Sequence, residues 1–328
     1  MAQRLGDPAL MVDAHHAVAM PLIYLGELER AREQVERGVA LYDPTQRQAY
    51  ASLFYHAIDP GVGCRFQASR VLWLLGYPDQ ARAHAEECLV LAQRISHAIS
   101  LAWAHADAAF MHQCRRELRP AEEHAASALA MGREHEWPEI VGWGLAWHGW
   151  AVALQGRLGD GIAEIRDGLI ALAGHTGLKP HLLALLAEVL ECAGRFGDAL
   201  AVVAEGLAAS ETGGRYYRAE LYRLQGELLL SRARHHAGAR DGEGTSAPTG
   251  RELMRAEAES CFRQALEIAR RQQGKSLELR AATSLARLWQ RQGRLVEARE
   301  LLVPILGWFT EGFETADLRE AQDLVASP

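Results

Sequence analysis

The feature that most constrains this chain is an internal repeat. A small residue recurs at intervals of about 40 residues, with two longer gaps, and in five copies a glycine precedes it by five places. The small residues are Ala31, Ala81, Ala121, Gly161, Ala199, Ala258 and Ala298. A unit of this length cannot bury its apolar side alone, so the repeat predicts a row of stacked supersecondary units.

Each unit has the sequence pattern of two antiparallel helices. The glycine, such as Gly26 or Gly76, allows the first helix to end in a left-handed conformation. Seven residues before it stands another small residue, such as Ala19 or Ser69, which permits close helix packing. Alanine and leucine are frequent and proline is scarce, which favours helices. The sequence therefore predicts an all-α chain.

The repeat register also predicts the domain organisation. We expect a single domain over residues 1–328. Its repeats are predicted at 8–42, 60–94, 98–134, 138–174, 180–211, 215–272 and 276–309, with a capping helix at 315–326. Residues 234–250 of the sixth repeat have no apolar periodicity, and we expect them to form a disordered insertion.

The order of small, glycine, apolar and small positions resembles the tetratricopeptide repeat (TPR). The unit is longer than the usual length of about 34 residues, and residues such as His15 and Arg65 replace the usual aromatic residue of the first helix. The resemblance implies a right-handed α-α superhelix, a solenoid of about seven helical hairpins plus a C-terminal capping helix. It also implies that the first helices line a concave groove.

Several longer stretches resemble a narrower group. Residues 59–62, 73–81, 219–229, 276–289 and 307–313 are similar to the C-terminal TPR region of bacterial multidomain signalling ATPases of the STAND or AAA type. Many of those proteins are adenylate or guanylate cyclases. The resemblance implies a sensor or docking region that stands beside, or is cut from, a larger switch protein.

Composition and motifs argue against several other classes. The formal net charge is -7 and the pI is about 6.1, which disfavours a nucleic-acid partner. No run of 18 apolar residues occurs, so no membrane association is expected. Five cysteines without a CxxC pair indicate reduced thiols in the cytoplasm.

The sequence also lacks catalytic signatures. It has no phosphate-binding loop and no HExxH or GxSxG motif. Pairs such as His84 with Cys88, or His105 with His112, do not supply the three or four converging ligands that zinc requires. We expect no enzymatic activity, no cofactor and no metal site.

Positions counted back from the turn glycine identify one face of each first helix. The candidate groove residues are Tyr24, Phe66, Arg70, Trp73, Trp103, Phe110, Trp143, Trp150, Glu188, Glu191, Glu220, Arg223, Glu227, Arg280, Arg287 and Arg291. The set changes from aromatic to acidic to basic along the chain. Two alternatives stay open: the tryptophans pack in the core, and the glutamates and arginines pair across adjacent helices.

The function that follows is recognition. An aromatic and charged groove predicts a scaffold or sensor that binds a peptide or partner domain and regulates an attached or associated ATPase or cyclase. The alternative is a small-molecule sensor that uses the aromatic residues of the second to fourth repeats. Self-association through the ends of the stack is also possible.

Overall fold

The computed structural model describes residues 7–46, 49–50, 58–235 and 250–326. Within these ranges, fifteen α-helices and two short 3₁₀ turns form the regular structure, and no strand occurs there. The prediction of an all-α chain of seven helical hairpins and a capping helix is confirmed. The helices form two compact units, one ending at His175 and one beginning at Thr176. The expectation of a single domain stays a prediction.

The first unit holds four hairpins, in which each odd-numbered helix is the first of its pair. The helices are α1 (Pro8–Leu25), α2 (Leu28–Leu41), α3 (Pro60–Leu75), α4 (Pro78–Ile95), α5 (Ala98–Cys114), α6 (Leu118–Glu134), α7 (Pro138–Leu154) and α8 (Leu158–Ala171). Each odd-numbered helix contacts its partner, and α1, α3 and α5 each also contact the next odd-numbered helix. The odd-numbered helices therefore lie side by side, and we call the surface that they form the first-helix face.

The second unit holds three hairpins and a final helix. The helices are α9 (Lys179–Cys192), α10 (Phe196–Thr212), α11 (Arg218–His235), α12 (Gly250–Arg271), α13 (Lys275–Arg291), α14 (Leu295–Leu306) and α15 (Ala316–Ala326). Here too the odd-numbered helices pack against one another in sequence, and α15 covers α13 and α14. Most of the predicted insertion, residues 236–249, lies outside the described residues.

The turn between the two helices of a hairpin depends on a left-handed residue. Gly26, Gly76, Gly156, Gly194 and Gly293 all have positive φ angles, between 71° and 102°. The third hairpin has lost this glycine, and Arg116 adopts a φ of 60° in its place. The predicted function of the turn glycines is thus confirmed, and the turn persists even where a side chain makes it less favourable.

Close helix approach explains the small residues of the register. A Cβ atom added to Gly161 of α8 would lie 2.3 Å from the carbonyl oxygen of Gly149 of α7, well inside van der Waals contact. The two glycines therefore let the backbones of α7 and α8 pack directly. The helix starts follow the same local logic, because Asp7 caps α1 by accepting a hydrogen bond from the amide of Ala9 at 2.9 Å.

No helix of the described ranges combines the length and the apolar character needed to cross a lipid bilayer.

Candidate recognition cleft

The first-helix face of the first unit contains a cleft of about 660 Å³. Side chains of α1, α3, α5 and α7 line it, together with residues at the ends of the connections between hairpins. Its aromatic lining residues are Tyr24, Phe66, Trp103, Trp137 and Trp143. One element of each of the four hairpins thus contributes to a single apolar surface.

Three of the aromatic rings pack edge to face and form one wall. The ring centroids of Phe66 and Trp103 lie 5.9 Å apart at 84°, and those of Trp103 and Trp143 lie 5.4 Å apart at 81°. Rings in this geometry attract each other and have few rotamers, so the wall is rigid. Trp103 is partly exposed, whereas Phe66 and Trp143 are buried residues of the lining.

Two polar groups of the lining have unused hydrogen-bonding capacity. The side-chain amide of Gln67 is 1% exposed, and neither its oxygen nor its nitrogen has a hydrogen-bond partner within the described residues. The indole Nε1 of Trp143 is likewise without a partner there. Buried polar atoms normally find a partner, since a missing one costs about 1–3 kcal/mol. Both residues belong to the lining of the cleft, and their unpartnered atoms, one acceptor and two kinds of N–H donor, have almost no solvent-accessible surface.

A buried ion pair lies behind the aromatic wall. The Arg70 guanidinium stands 4.1 Å from the ring centroid of Phe66 and 4.4 Å from that of Trp143. Its Nε lies 3.5 Å from the carboxylate of Asp107, which also accepts a hydrogen bond from Ser69 at 2.8 Å. Burial raises the pKa of Asp107 to about 7, against the opposing effects of Arg70 and Ser69. The arrangement fixes the rings through cation–π contacts.

Charged and ionisable groups form the rim of the cleft. His175 Nε2 lies 2.8 Å from the Glu139 carboxylate, and both side chains are exposed. Tyr24 has a raised pKa because of its burial, so its hydroxyl stays protonated at neutral pH. The rim is therefore polar while the floor is aromatic, a combination typical of sites that orient a mostly apolar ligand.

The candidate groove residues of the first unit fall into two groups. Tyr24, Phe66, Trp103 and Trp143 line the cleft. Arg70, Trp73, Phe110 and Trp150 are buried away from it, and Trp150 has no exposed surface at all. The burial of Trp73 and Trp150 agrees with the core-packing alternative that the sequence left open for the tryptophans.

The candidate residues of the second unit form an ion-pair network on its first-helix face. Arg223 donates two hydrogen bonds to Glu220, at 2.7 and 2.9 Å, and Arg280 donates one to Asp317 of α15 at 2.7 Å. Glu227 accepts hydrogen bonds from Ser284 at 2.7 Å and from Arg287 at 3.0 Å.

Further contacts extend this network, whose residues mostly have little exposed surface. Glu191 accepts a hydrogen bond from Ser231 at 2.6 Å, and Arg287 also pairs with Glu320. Glu188 is partly buried on α9, and Arg291 is exposed on α13, one helical turn after Arg287. The alternative in which the glutamates and arginines pair across adjacent helices therefore describes most of this set, because their charges are paired within the unit.

Sequence reasoning missed several residues of the cleft. Gln67 directly follows Phe66, but it lies one place outside the register used to choose groove positions. Trp137, Glu139 and His175 lie at or beside the connections between hairpins, where the helical register gives no prediction. The proline at 138, which starts α7, is the one local signal that places Trp137 at a helix entrance.

The third hairpin also carries a histidine cluster, of which the sequence pointed to His105 and His112 but not to His124. His105 and His124 approach to 3.0 Å between their Nδ1 atoms, and the ring of His112 stacks on that of His124 with centroids 5.5 Å apart. Burial and the two neighbouring histidines lower the pKa of His124 to about 4. Across the described part of the chain, no group of three or more such side chains has a geometry that could hold a metal ion.

Comparisons with known proteins give a structural likeness only. No protein-family model and no curated protein sequence matches this chain. Aspartyl phosphate phosphatase F from Bacillus subtilis superposes with a TM-score of 0.51 at 12% identity, covering 85% of this chain and 66% of that one. At this identity the likeness concerns the fold. The fold is the tetratricopeptide-type helical repeat.

Two other solved structures are similar at lower scores. The apo form of RapI has a TM-score of 0.49 at 12% identity and covers 92% of this chain and 96% of its own. A signal transduction ATPase with numerous domains from Pyrococcus horikoshii, which has a tetratricopeptide repeat sensor, has a TM-score of 0.40 at 14% identity. That match covers 91% of this chain and 42% of the ATPase. The TPR-type fold positions the cleft by placing its first helices side by side.

Proposed function

We propose that this TPR-type chain is a recognition scaffold whose cleft binds a peptide segment of a partner protein. The observation that carries the proposal is that the lining of an aromatic cleft includes the unpartnered amide of Gln67. A primary amide presents one acceptor and one donor group, which matches the donor and acceptor of a peptide backbone. The aromatic wall then receives a bulky apolar side chain of the same peptide.

The charges at the rim support a peptide rather than a purely apolar ligand. Glu139 and His175 are exposed at 44% and 40% and lie at the edge of the cleft. They offer a polar border to the backbone or to flanking side chains as the segment leaves the cleft. Interfaces of this kind have an apolar centre and a polar rim.

The resemblance to the C-terminal region of signalling ATPases extends the proposal to regulation. In this extension the chain is a sensor, and the bound peptide or partner domain changes the activity of an attached or associated ATPase or nucleotide cyclase. Such coupling requires that the partner bind one arrangement of the hairpins better than another. We propose no catalytic role for the chain itself.

A small-molecule sensor is the second candidate, and the size of the cleft favours it. A volume of about 660 Å³ falls in the range of about 300–1,000 Å³ that is usual for small-ligand sites. An aromatic compound with one amide or carbonyl group would use the same wall and the same Gln67 amide. The two candidates therefore differ in the ligand and not in the site.

The experiment selects ligands from a displayed random 12-residue peptide library against the wild-type protein. Selected peptides should share a bulky apolar residue, and fluorescence anisotropy should show saturable binding. We expect Gln67→Leu to lower the affinity about tenfold, because each lost hydrogen bond of a desolvated group is worth about 1–1.5 kcal/mol. Trp103→Ala should lower it further by removing part of the wall.

Two matched variants control for general effects. Gln264→Leu changes an exposed glutamine of α12, and Trp308→Ala removes a partly exposed tryptophan of the second unit. Both should bind as the wild type does. Peptides that bind Gln67→Leu and Trp103→Ala unchanged would refute the cleft as the site. Saturable binding of indole-type fragments at the cleft, with no peptide selected, would favour the small-molecule alternative.

A further inference from the structure

A buried cation links the aromatic wall of the cleft to the core of the first unit. The Arg70 guanidinium of α3 is 3% exposed and stands 4.1 Å from the ring centroid of Phe66. It lies 4.4 Å from the ring centroids of both Phe110 and Trp143. Phe66 and Trp143 belong to the lining of the cleft. A displacement of this guanidinium would therefore move two rings that a ligand contacts.

One carboxylate holds Arg70 in this place. Asp107 of α5 has no exposed surface, and its Oδ1 lies 3.5 Å from Arg70 Nε. The hydroxyl of Ser69 lies 3.0 and 2.8 Å from the two carboxylate oxygens and donates a hydrogen bond to them. The pair joins α3 to α5 directly behind the wall, and the attraction of an ionised Asp107 keeps the guanidinium against the rings.

The other helices around α5 bring groups that are neutral or engaged elsewhere. Burial raises the pKa of the Cys88 thiol of α4 well above its usual value, so this group stays neutral beside Asp107. His124 of α6 contacts two histidines of α5 instead, and Trp147 of α7 packs against α5 with its ring. Within the described structure, Arg70 is accordingly the charge that opposes the effect of burial on Asp107.

Asp107 has two charge states near neutral pH, because burial raises its pKa to about 7. When Asp107 is protonated, Arg70 is left as a charge without its partner in a desolvated environment, which is strongly unfavourable. The guanidinium then gains by moving toward water, and the rings that stack on it move with it.

We propose that Arg70 is a positioning residue of the cleft, which holds Phe66 and Trp143 in the ligand-binding geometry only while Asp107 is ionised. This inference rests on the proposed function, because it concerns the same cleft. It adds a form of regulation, since the cleft binds its peptide more weakly when the charge at position 107 is lost. Asp107→Asn represents that state, because an amide of the same size still accepts a hydrogen bond from Ser69.

The first test needs no ligand. Near-ultraviolet circular dichroism follows the packing of the tryptophan rings between about pH 5.5 and 8.5, where histidines also bind protons. The wild-type spectrum should contain a step near pH 7 that Asp107→Asn lacks. Asp160→Asn, at an exposed position of α8, should keep the step. An identical pH response of the wild type and Asp107→Asn would overturn the inference, whether or not a peptide ligand is found.

The second test measures the affinity of a selected peptide by fluorescence anisotropy. From pH 8 to pH 6 the wild type should lose about tenfold in affinity, a usual size for coupling between two sites. Asp107→Asn should bind about tenfold more weakly than the wild type at pH 8 and change little at pH 6. Cleft histidines such as His175 are present in both proteins, so the comparison isolates position 107.

Stability separates positioning from a merely structural role. Because burial raises the pKa of Asp107 above its value in the unfolded chain, its contribution to stability is present at low pH and is lost as the pH rises through about 7. Asp107→Asn should therefore be at least as stable as the wild type at pH 8. Weaker binding by a protein of equal stability supports the inference. Wild-type affinity in Asp107→Asn, or in Arg70→Lys, which loses the planar contact with the rings, would contradict it.

Discussion

The two units use the same first-helix face in opposite ways. In the first unit, large rings such as Phe66 and Trp103 occupy the face and leave a cleft of about 660 Å³. In the second unit, arginines and carboxylates such as Arg280 and Asp317 occupy it and pair across adjacent helices. The two units share the same backbone register. The side chains therefore decide whether the face contains a cleft for a ligand or is filled by paired side chains.

The difference follows from what each kind of side chain needs. Rigid rings gain from edge-to-face contact with each other and do not have to fill every gap between helices. Buried charges must be paired, because an isolated charge in a desolvated environment is strongly unfavourable. Long arginine side chains therefore reach across to a carboxylate and fill the space that stays open in the first unit.

The largest effect should come from Trp150, which tests the division of the aromatic residues in the first unit. Trp150→Ala should lower the free energy of unfolding by about 4 kcal/mol, since its side chain has no exposed surface. Trp103→Ala should cost about half as much, because Trp103 is partly exposed at the cleft. Urea unfolding followed by circular dichroism measures both, and equal losses would contradict the division into core and cleft residues.

The next effect tests whether the charges of the second unit hold its helices together. Arg280→Leu should lower the free energy of unfolding by about 3 kcal/mol, because it removes the guanidinium that pairs with Asp317 at 2.7 Å and lies 3.6 Å from Glu220. Arg271→Leu, at an exposed position, should change it by less than about 0.5 kcal/mol. If Arg280→Leu is as mild as this control, the network does not stabilise the unit.

The smallest effect is the contribution of His124, in the first unit, to the pH dependence of stability. The pKa of His124 is lowered to about 4 by burial and by His105 and His112, so the unfolded chain binds the proton more readily. Stability from this residue is therefore complete above about pH 6.5 and is lost as the pH falls toward 4. Between those limits we expect a loss of about 1–2 kcal/mol in urea unfolding.

A matched variant isolates that titration. His124→Gln keeps a polar side chain but cannot titrate, so its stability should fall less than that of the wild type between pH 6.5 and 4. The arginine and carboxylate network of the second unit contains no histidine among its described contacts. Equal pH dependence of the two proteins would show that His124 does not contribute.

The fold was largely predictable because its signals are local. The turn glycines, including Gly26 and Gly293, predicted the hairpins, and they adopt left-handed conformations. The cleft was predictable only in part. Phe66, Trp103 and Trp143 line it, as the register predicted. Gln67 and His175 also line it, but a register counted from the turn glycine does not select their positions.

The sequence by itself determined the repeated hairpin, because each turn and each small packing position depends on residues a few places apart. Only the tertiary structure decided which side chains meet a ligand. Trp143 and Trp150 are seven residues apart on the same face of α7, yet Trp143 lines the cleft and Trp150 is fully buried in the core. Helical spacing gives the direction of a side chain, whereas the neighbouring hairpins set its depth.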